Sequence, residues 1–321
     1  MKKLNLLIIG SNFGKYHLKA SIKSRKFKNI SISSPNIFTK KIPKNIKKFK
    51  NFKLAIKSLK IDMITIATKP QIQNEILNYI YSKKKIPKFI FLEKPITNNS
   101  IKLIKKFPKK VLILTNFIYS FNEQWNYFKN MINNTKNIDS FEYTWFFNQA
   151  YFINKKKTWK IEPSNGGGII NYYLPHAIFN ILNIFKNVKF KKIIKKKFYK
   201  KILTYLEISF LIKKKISILY ISNKSDFNLH KLNVTKKLAN DNMTIINKSK
   251  KWLSNFKIYS SNKSNSLKSK KKLSFNDGRE EVLIAIYSKI NHYFSTKYIE
   301  SNKSLTYKTF ELIHKINKKI K

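Results

Sequence analysis

An acid, an amine and a proline stand together at Glu93, Lys94 and Pro95, directly after the apolar run Phe89-Ile90-Phe91-Leu92. A short unbroken apolar run is the signature of a strand buried on both faces. Charge at its mouth is either the solvated end of a strand or chemistry, because the carboxyl ends of parallel strands are where α/β proteins bind and react. A fixed ammonium in that position can hydrogen-bond a carbonyl or hydroxyl and stabilise negative charge developing on its oxygen. A second candidate is "LLIIGSNFGKYHLKA": strand, glycine turn, helix. Gly10 would make the tight turn, and Gly14 would allow close approach at a helix N-terminus able to face a pyrophosphate. Asn12 stands where the full G-x-G-x-x-G pattern has its middle glycine, so the turn alone is also compatible with a purely structural role.

The elements that must position these residues follow from hydrophobic patterning. Strands are predicted at 4–9, 29–33, 63–67, 89–92 and 111–115, with helices at 14–24, 71–82 and 99–106 between them. In the second helix Ile72, Ile76 and Ile80 recur at helical spacing as a core-facing stripe. Strand-helix-strand alternation implies a doubly wound parallel sheet, so residues 1–118 are expected to form a dinucleotide-binding Rossmann domain. Beyond that point the runs 141–147, 203–212 and 216–221 follow one another with few helices between. Residues 119–321 are therefore expected to form an α+β domain on a mainly antiparallel open sheet, for substrate binding and oligomerisation. Helices are expected at 174–185, 279–294 and 305–318, and an exposed loop at 260–272.

Composition narrows the function classes. Hydrophobic residues make up 42% and aromatics 14% of the 321-residue chain, which is globular and not disordered. No apolar run approaches the ~18 residues of a membrane span. The opening "MKKLNLLIIG" imitates a signal peptide, but its apolar run is short and leads into the glycine turn, so it reads as the first strand. Zero cysteines exclude disulfides and cysteine metal sites, fit the cytoplasm, and no metal is expected. The net charge of +53 is carried almost wholly by lysine, with arginine only at Arg25 and Arg279. Arginine is the preferred side chain for bidentate contacts to phosphate and guanine, so no specific nucleic-acid partner is expected. The charge can still attract acidic small molecules.

The order of four signals carries a resemblance. After the glycine turn come "MITIATKPQIQNEI", then "FLEKP", then "TWKIEPSNGGGIINYYLPH". Over about residues 4–180 the sequence resembles the Gfo/Idh/MocA family of glucose-fructose oxidoreductase and inositol 2-dehydrogenase. The resemblance implies an NAD(P)-dependent oxidoreductase that moves hydride between a nicotinamide and a small carbonyl or hydroxyl substrate, such as a sugar or nucleotide-sugar. It implies that Lys94 reaches the nicotinamide and the substrate oxygen, that Pro95 holds the bend, often through a cis bond in relatives, and that His176 carries the substrate proton. Lone histidines are more often structural, and His17, His230, His292 and His314 are read so. Gly10, Asn12, Phe13 and Gly14 are expected at the cofactor, with Thr68 and Lys69 at the end of the next strand. Glu93 and Lys94, and Trp159 ahead of Gly166–Gly168, complete that set. Relatives often pair subunits through the second domain's sheet, so a homo-oligomer is expected.

Three departures qualify the resemblance. Tyr172 stands where relatives usually have an aspartate, Leu174 where they often have glycine, and Phe179 where an acid is common. These departures also suit reduction of a different C=O or C=N bond, or a cofactor-binding member without turnover. The compact turn is similar to the G-x-x-F-G turn of the thiazolinyl imine reductases, an NADPH-dependent branch. In that branch Tyr119 could stand near the substrate as a second proton donor, the alternative being a packed aromatic. An acid about 20 residues beyond the turn usually holds the ribose 2′-hydroxyl of NAD. Here no Asp or Glu precedes Asp62, and Ser33 and Ser34, with Lys40 and Lys41 nearby, suit a 2′-phosphate. NADP is expected over NAD. The whole reading requires the Lys94 amine and the His176 imidazole to converge beside a nicotinamide ring.

Overall fold

The computed structural model describes residues 3–134, 138–155, 158–185, 187–236, 242–249, 253, 255–260 and 278–320. The loop expected at 260–272 lies outside them, apart from its first residue. The chain divides into two compact units, Met1–Phe117 with Arg279–Tyr307, and Ile118–Gly278 with Lys308–Lys321. The first unit thus takes in a C-terminal segment that a single boundary after residue 118 assigns to the second.

In the first unit, β1 (Leu4–Ile9), β2 (Phe27–Ser33), β3 (Lys47–Phe49), β4 (Met63–Ile66), β5 (Phe89–Glu93) and β6 (Leu112–Asn116) form one parallel sheet in the order β3-β2-β1-β4-β5-β6. Helices α1 (Gly14–Ser24), α2 (Phe52–Ser58), α3 (Pro70–Ser82) and α4 (Asn98–Lys106) connect the strands. The Rossmann-type sheet expected from the alternation is present. The strand order reverses between β1 and β4, and the crevice beyond the carboxyl ends of such a pair is where ligands bind in this class of sheet. Leu7, Ile8, Ile64, Ile66, Ile90, Phe91 and Leu92 are almost fully buried, which is why these strands read as continuous apolar runs.

The helical stripe on α3 differs from expectation. Ile76 and Ile80 are buried, but Ile72 is exposed and Gln73 takes the inward position with Leu77. Steps of four residues drift about 40° around a helix, so two of them carry Ile72 off the core face. Gln73 has its own reason to be buried, since its Nε2 donates to the Glu93 carbonyl at 2.6 Å.

In the second unit, α5 (Glu123–Asn133), β7 (Ile138–Phe146), α6 (Ala150–Asn154) and α7 (Leu174–Ile184) precede a run of strands. These are β8 (Val188–Tyr199), β9 (Ile202–Ile212), β10 (Lys215–Ser222), β11 (Leu229–Lys236), β12 (Asn242–Asn247) and β13 (Lys257–Ser260). They make a seven-stranded sheet, β13-β12-β11-β7-β10-β9-β8, antiparallel except for the parallel β7–β10 pair. The mainly antiparallel sheet expected here is also present. The chain closes with α8 (Arg279–Ser288), α9 (Ile290–Tyr293) and the 25-residue α10 (Thr296–Ile320). Among the described residues no helix is long and apolar enough to cross a membrane.

Candidate active site

Ten of the residues expected at a cofactor lie at or just beyond the carboxyl ends of β1, β2, β4 and β5, which a parallel sheet places along one edge. Gly10 follows β1 with φ +110°, and its amide donates to the Ser33 carbonyl at 2.8 Å while the Ala67 amide donates to Ile9 at 2.8 Å. A Cβ on Gly10 would run into the Ala67 carbonyl oxygen. Glycine is therefore required by the fit between the two strands that flank the switch point. A Cβ on Gly14 would lie 3.3 Å from the Ile8 side chain, so this second glycine serves close helix–strand packing. Asn12 is exposed and Phe13 sits at the N-cap of α1, where no side chain caps the helix. No side chain thus competes with an anionic group, such as a pyrophosphate, for the first amides of α1.

Beside this turn the Ser34 and Ser11 hydroxyls are 2.9 Å apart. The buried Ser33 hydroxyl has no hydrogen-bond partner among the described residues. Asp62, the first acid in the chain, precedes β4 and so stands at the opposite edge, where it accepts from the Asn5 backbone and side chain at 2.9 and 3.1 Å. Thr68 and the exposed Lys69 follow β4, with Lys69 at the N-cap of α3. Arg279, one of the two arginines, lies over the rings of Phe13 and Tyr16 at 5.8 and 5.2 Å, an arrangement nothing in the local sequence announced.

Glu93 ends β5, Lys94 is partly exposed, and the Lys94–Pro95 bond is cis. The Glu93 carboxylate is buried and held twice: His17 Nε2 is 2.8 Å from its Oε1, and Asn116 Nδ2 donates to the same oxygen at 2.5 Å. His17 Nδ1 meets the Tyr287 hydroxyl at 2.9 Å, which in turn lies 2.9 Å from Thr65 Oγ1. Reading His17 as structural from sequence overlooked this connection, because its partners lie 76 and 270 residues away.

The second unit gathers its own candidates. Tyr119 and His176 are both buried, with ring centroids 5.4 Å apart in a T-shaped pair. Tyr119 also packs on Trp145 and His230 at 5.6 and 4.8 Å. His230 stacks on Trp145 at 5.1 Å, and its Nε2 lies 2.6 Å from the Tyr143 hydroxyl. Burial pushes the His230 imidazole down to about 3, so it is neutral at physiological pH. The Tyr143 hydroxyl, pushed up by burial and contacted by Asn180, is suited to donate to it. A pocket beside these rings is lined by Tyr119, Trp145 and His230 together with Asn228, Asn247 and Ser249. Among the described residues no lysine lines it, in a chain where lysine and arginine number 68 of 321 residues.

His176 enters α7 from a π-helical segment, Ile169–Tyr173, a distortion that recurs at functional sites. A Cβ on Gly167 would collide with the backbone of Trp159 and Lys160, so the triple glycine lets that pair approach. Trp159 packs edge-on against Tyr172 at 5.5 Å, and the Lys160 ammonium lies 5.4 Å from the same ring. The aromatic ring thus holds the basic pair where relatives were expected to have a carboxylate. The other two departures, Leu174 and Phe179, are fully buried in α7. Lys94 belongs to the first unit; His176, Tyr119 and Trp159 belong to the second.

Comparison with known proteins supports the sequence resemblance. Residues 4–110 match the model of the GFO_IDH_MocA family, described as an oxidoreductase family with an NAD-binding Rossmann fold. No curated protein matches the sequence. Among solved structures, the chain is similar to the WlbA dehydrogenase from Bordetella pertussis in complex with NADH and UDP-GlcNAcA, with TM-score 0.73, 9% identity, and 99% and 95% of the two chains covered. It is similar to myo-inositol 2-dehydrogenase from Lactobacillus plantarum, with TM-score 0.71, 16% identity, and 99% and 97% covered. It is also similar to the transcriptional regulator Gal80p from Kluyveromyces lactis, with TM-score 0.76, 12% identity, and 99% and 92% covered. Identities this low carry the fold alone.

Proposed function

Because residues 4–110 match the model of the Gfo/Idh/MocA oxidoreductase family, we propose that the chain is an NADP-preferring oxidoreductase acting on a small carbonyl or hydroxyl compound, such as a sugar or nucleotide-sugar. The observation that carries the reading is the Glu93-Lys94-Pro95 turn at the end of β5, on the same sheet edge as the uncapped N-terminus of α1. Gly10 to Gly14, Ser33, Ser34, Thr68 and Lys69 would hold the cofactor, whose nicotinamide supplies or accepts the hydride. Lys94 donates a hydrogen bond to the substrate oxygen and stabilises the negative charge that grows there in the transition state. His176 gives up a proton to that oxygen on reduction and takes it back on oxidation, and Tyr119 is a second donor in the same role.

The cofactor preference rests on chemistry at the end of β2. The chain offers hydroxyls there, at Ser11, Ser33 and Ser34, and no carboxylate that would repel a 2′-phosphate or grip a 2′-hydroxyl. Titration of intrinsic NADPH and NADH fluorescence should give tighter binding of NADPH, and a clear preference for NADH would reverse the assignment. With a substrate found by screening sugars, nucleotide-sugars and cyclic imines against NADPH oxidation, Lys94→Ala should lower kcat about 10²–10³-fold while cofactor affinity stays within about threefold.

A cofactor-binding protein without turnover is the second reading. It is favoured by Tyr172, packed against Trp159, and Phe179, fully buried, in place of the expected carboxylates. That reading predicts NADPH binding that Lys94→Ala leaves intact and no oxidation of NADPH with any member of the screen.

A further inference from the structure

The buried row Thr65–Tyr287–His17–Glu93–Asn116 is joined by hydrogen bonds of 2.9, 2.9, 2.8 and 2.5 Å. Its members come from β4, α8, α1, β5 and the end of β6. All five side chains are buried, and His17, Thr65 and Tyr287 are fully so. The Glu93 carboxylate can only accept, so His17 Nε2 carries the hydrogen that meets it, and in the neutral imidazole Nδ1 then accepts from the Tyr287 hydroxyl. Tyr287 is suited to this, since burial raises its pKa and keeps the hydroxyl protonated. Phe91 and Tyr287 close around the imidazole edge-on, at 5.4 and 5.9 Å between centroids, which limits its tilt.

We propose that His17 is a positioning residue, which from inside α1 holds the Glu93 carboxylate and thereby sets the place of the Lys94 amine at the end of β5. Two neighbouring restraints leave this as the adjustable one. Gln73 Nε2 already pins the Glu93 carbonyl at 2.6 Å, and Asn116 grips one carboxylate oxygen from β6. Among the described residues His17 alone ties the same carboxylate to the helix whose N-terminus would face the pyrophosphate. A shift of α1 on cofactor binding would therefore be felt at Lys94 through one imidazole. Removing the imidazole leaves a buried carboxylate short of a donor, a loss that local rearrangement must relieve.

This inference rests on the proposed redox role of Lys94 for its consequence, but its test does not require turnover. Competitive acetylation followed by peptide mass spectrometry reports the reactivity of the Lys94 amine, with Lys69 on the same sheet edge as internal reference. His17→Ala should change the Lys94 rate about tenfold relative to Lys69, and His17→Gln, which keeps an N–H within reach of Glu93, should bring it back to within about twofold. An unchanged Lys94 rate in a folded His17→Ala protein overturns the proposal, as does failure of His17→Gln to restore it. Should His17→Ala not fold, Tyr287→Phe keeps the ring and removes the hydroxyl that His17 Nδ1 and Thr65 share; a change of about threefold supports the proposal and none overturns it. A protein that binds neither NADH nor NADPH sinks the oxidoreductase reading and leaves this comparison standing.

Discussion

His230 shows how a residue of one type takes different roles by environment. Enclosed by Trp145, Tyr119, Trp125 and Phe256, it is forced neutral, with its pKa lowered to about 3 by burial. In the unfolded chain the same imidazole titrates near 6.5. Between those values the unfolded state holds one more proton than the folded state. The stability from the neutral imidazole is therefore complete above about pH 6.5 and is lost as pH falls toward 3, at up to ~1.4 kcal/mol per pH unit. Urea midpoints of the wild type should fall between pH 7 and pH 5 by more than those of His230→Gln, and equal falls would refute the assignment. Which histidine does what was not legible in the sequence. His176 stood out because it follows a triple glycine, whereas His17 and His230 acquire meaning only from partners distant in the chain.

At the scale of elements, most of the first unit could be read directly. The predicted β1 and α1 coincide with the observed ones, and β4, β5, β6, α3 and α4 agree to within a residue at each end. Strands β3, β8, β11, β12 and β13 were not anticipated, and the first two show why. β3 is three residues, Lys47-Lys48-Phe49, and β8 carries lysine at six of its twelve positions and lies at the sheet's edge. Both are recruited by pairing to a neighbour rather than by an apolar run of their own, and lysine on an edge strand also discourages pairing with other chains. The glycines of the first turn allow a sharp comparison at this scale. Gly10→Ala must hold φ near +110° and meet the Ala67 carbonyl, so it should cost at least ~2 kcal/mol and several degrees of Tm. Gly14→Ala needs only a small shift against Ile8 and gains helix propensity, so its net effect should stay within about 1 kcal/mol. Thermal melts of the two variants check this, and equal losses would show that the switch-point fit has been misjudged.

For the molecule as a whole, the consequential feature is the return of Arg279–Tyr307 to the first unit. Leu283, Ile286, Tyr287 and Ile290 from that segment are almost fully buried, and the Glu280 carboxylate pairs with Lys23 of α1 at 2.6 Å. A fragment of residues 1–118 would expose the partners of these side chains and leave His17 without Tyr287. It should show no cooperative thermal transition, while the same fragment joined by a short linker to residues 279–307 should regain one. A cooperative melt from residues 1–118 alone would contradict this account. The sequence by itself determined the parallel sheet, the glycine turn and the strand-end Glu93-Lys94-Pro95, because local periodicity and backbone chemistry are written within a dozen residues. Only the tertiary structure decided that a distant helix completes the first unit, that His17 grips Glu93, and that Tyr119, His176 and His230 share one cluster. Those contacts join residues tens to hundreds of positions apart, and which buried polar group meets which is settled by packing, which no local pattern encodes.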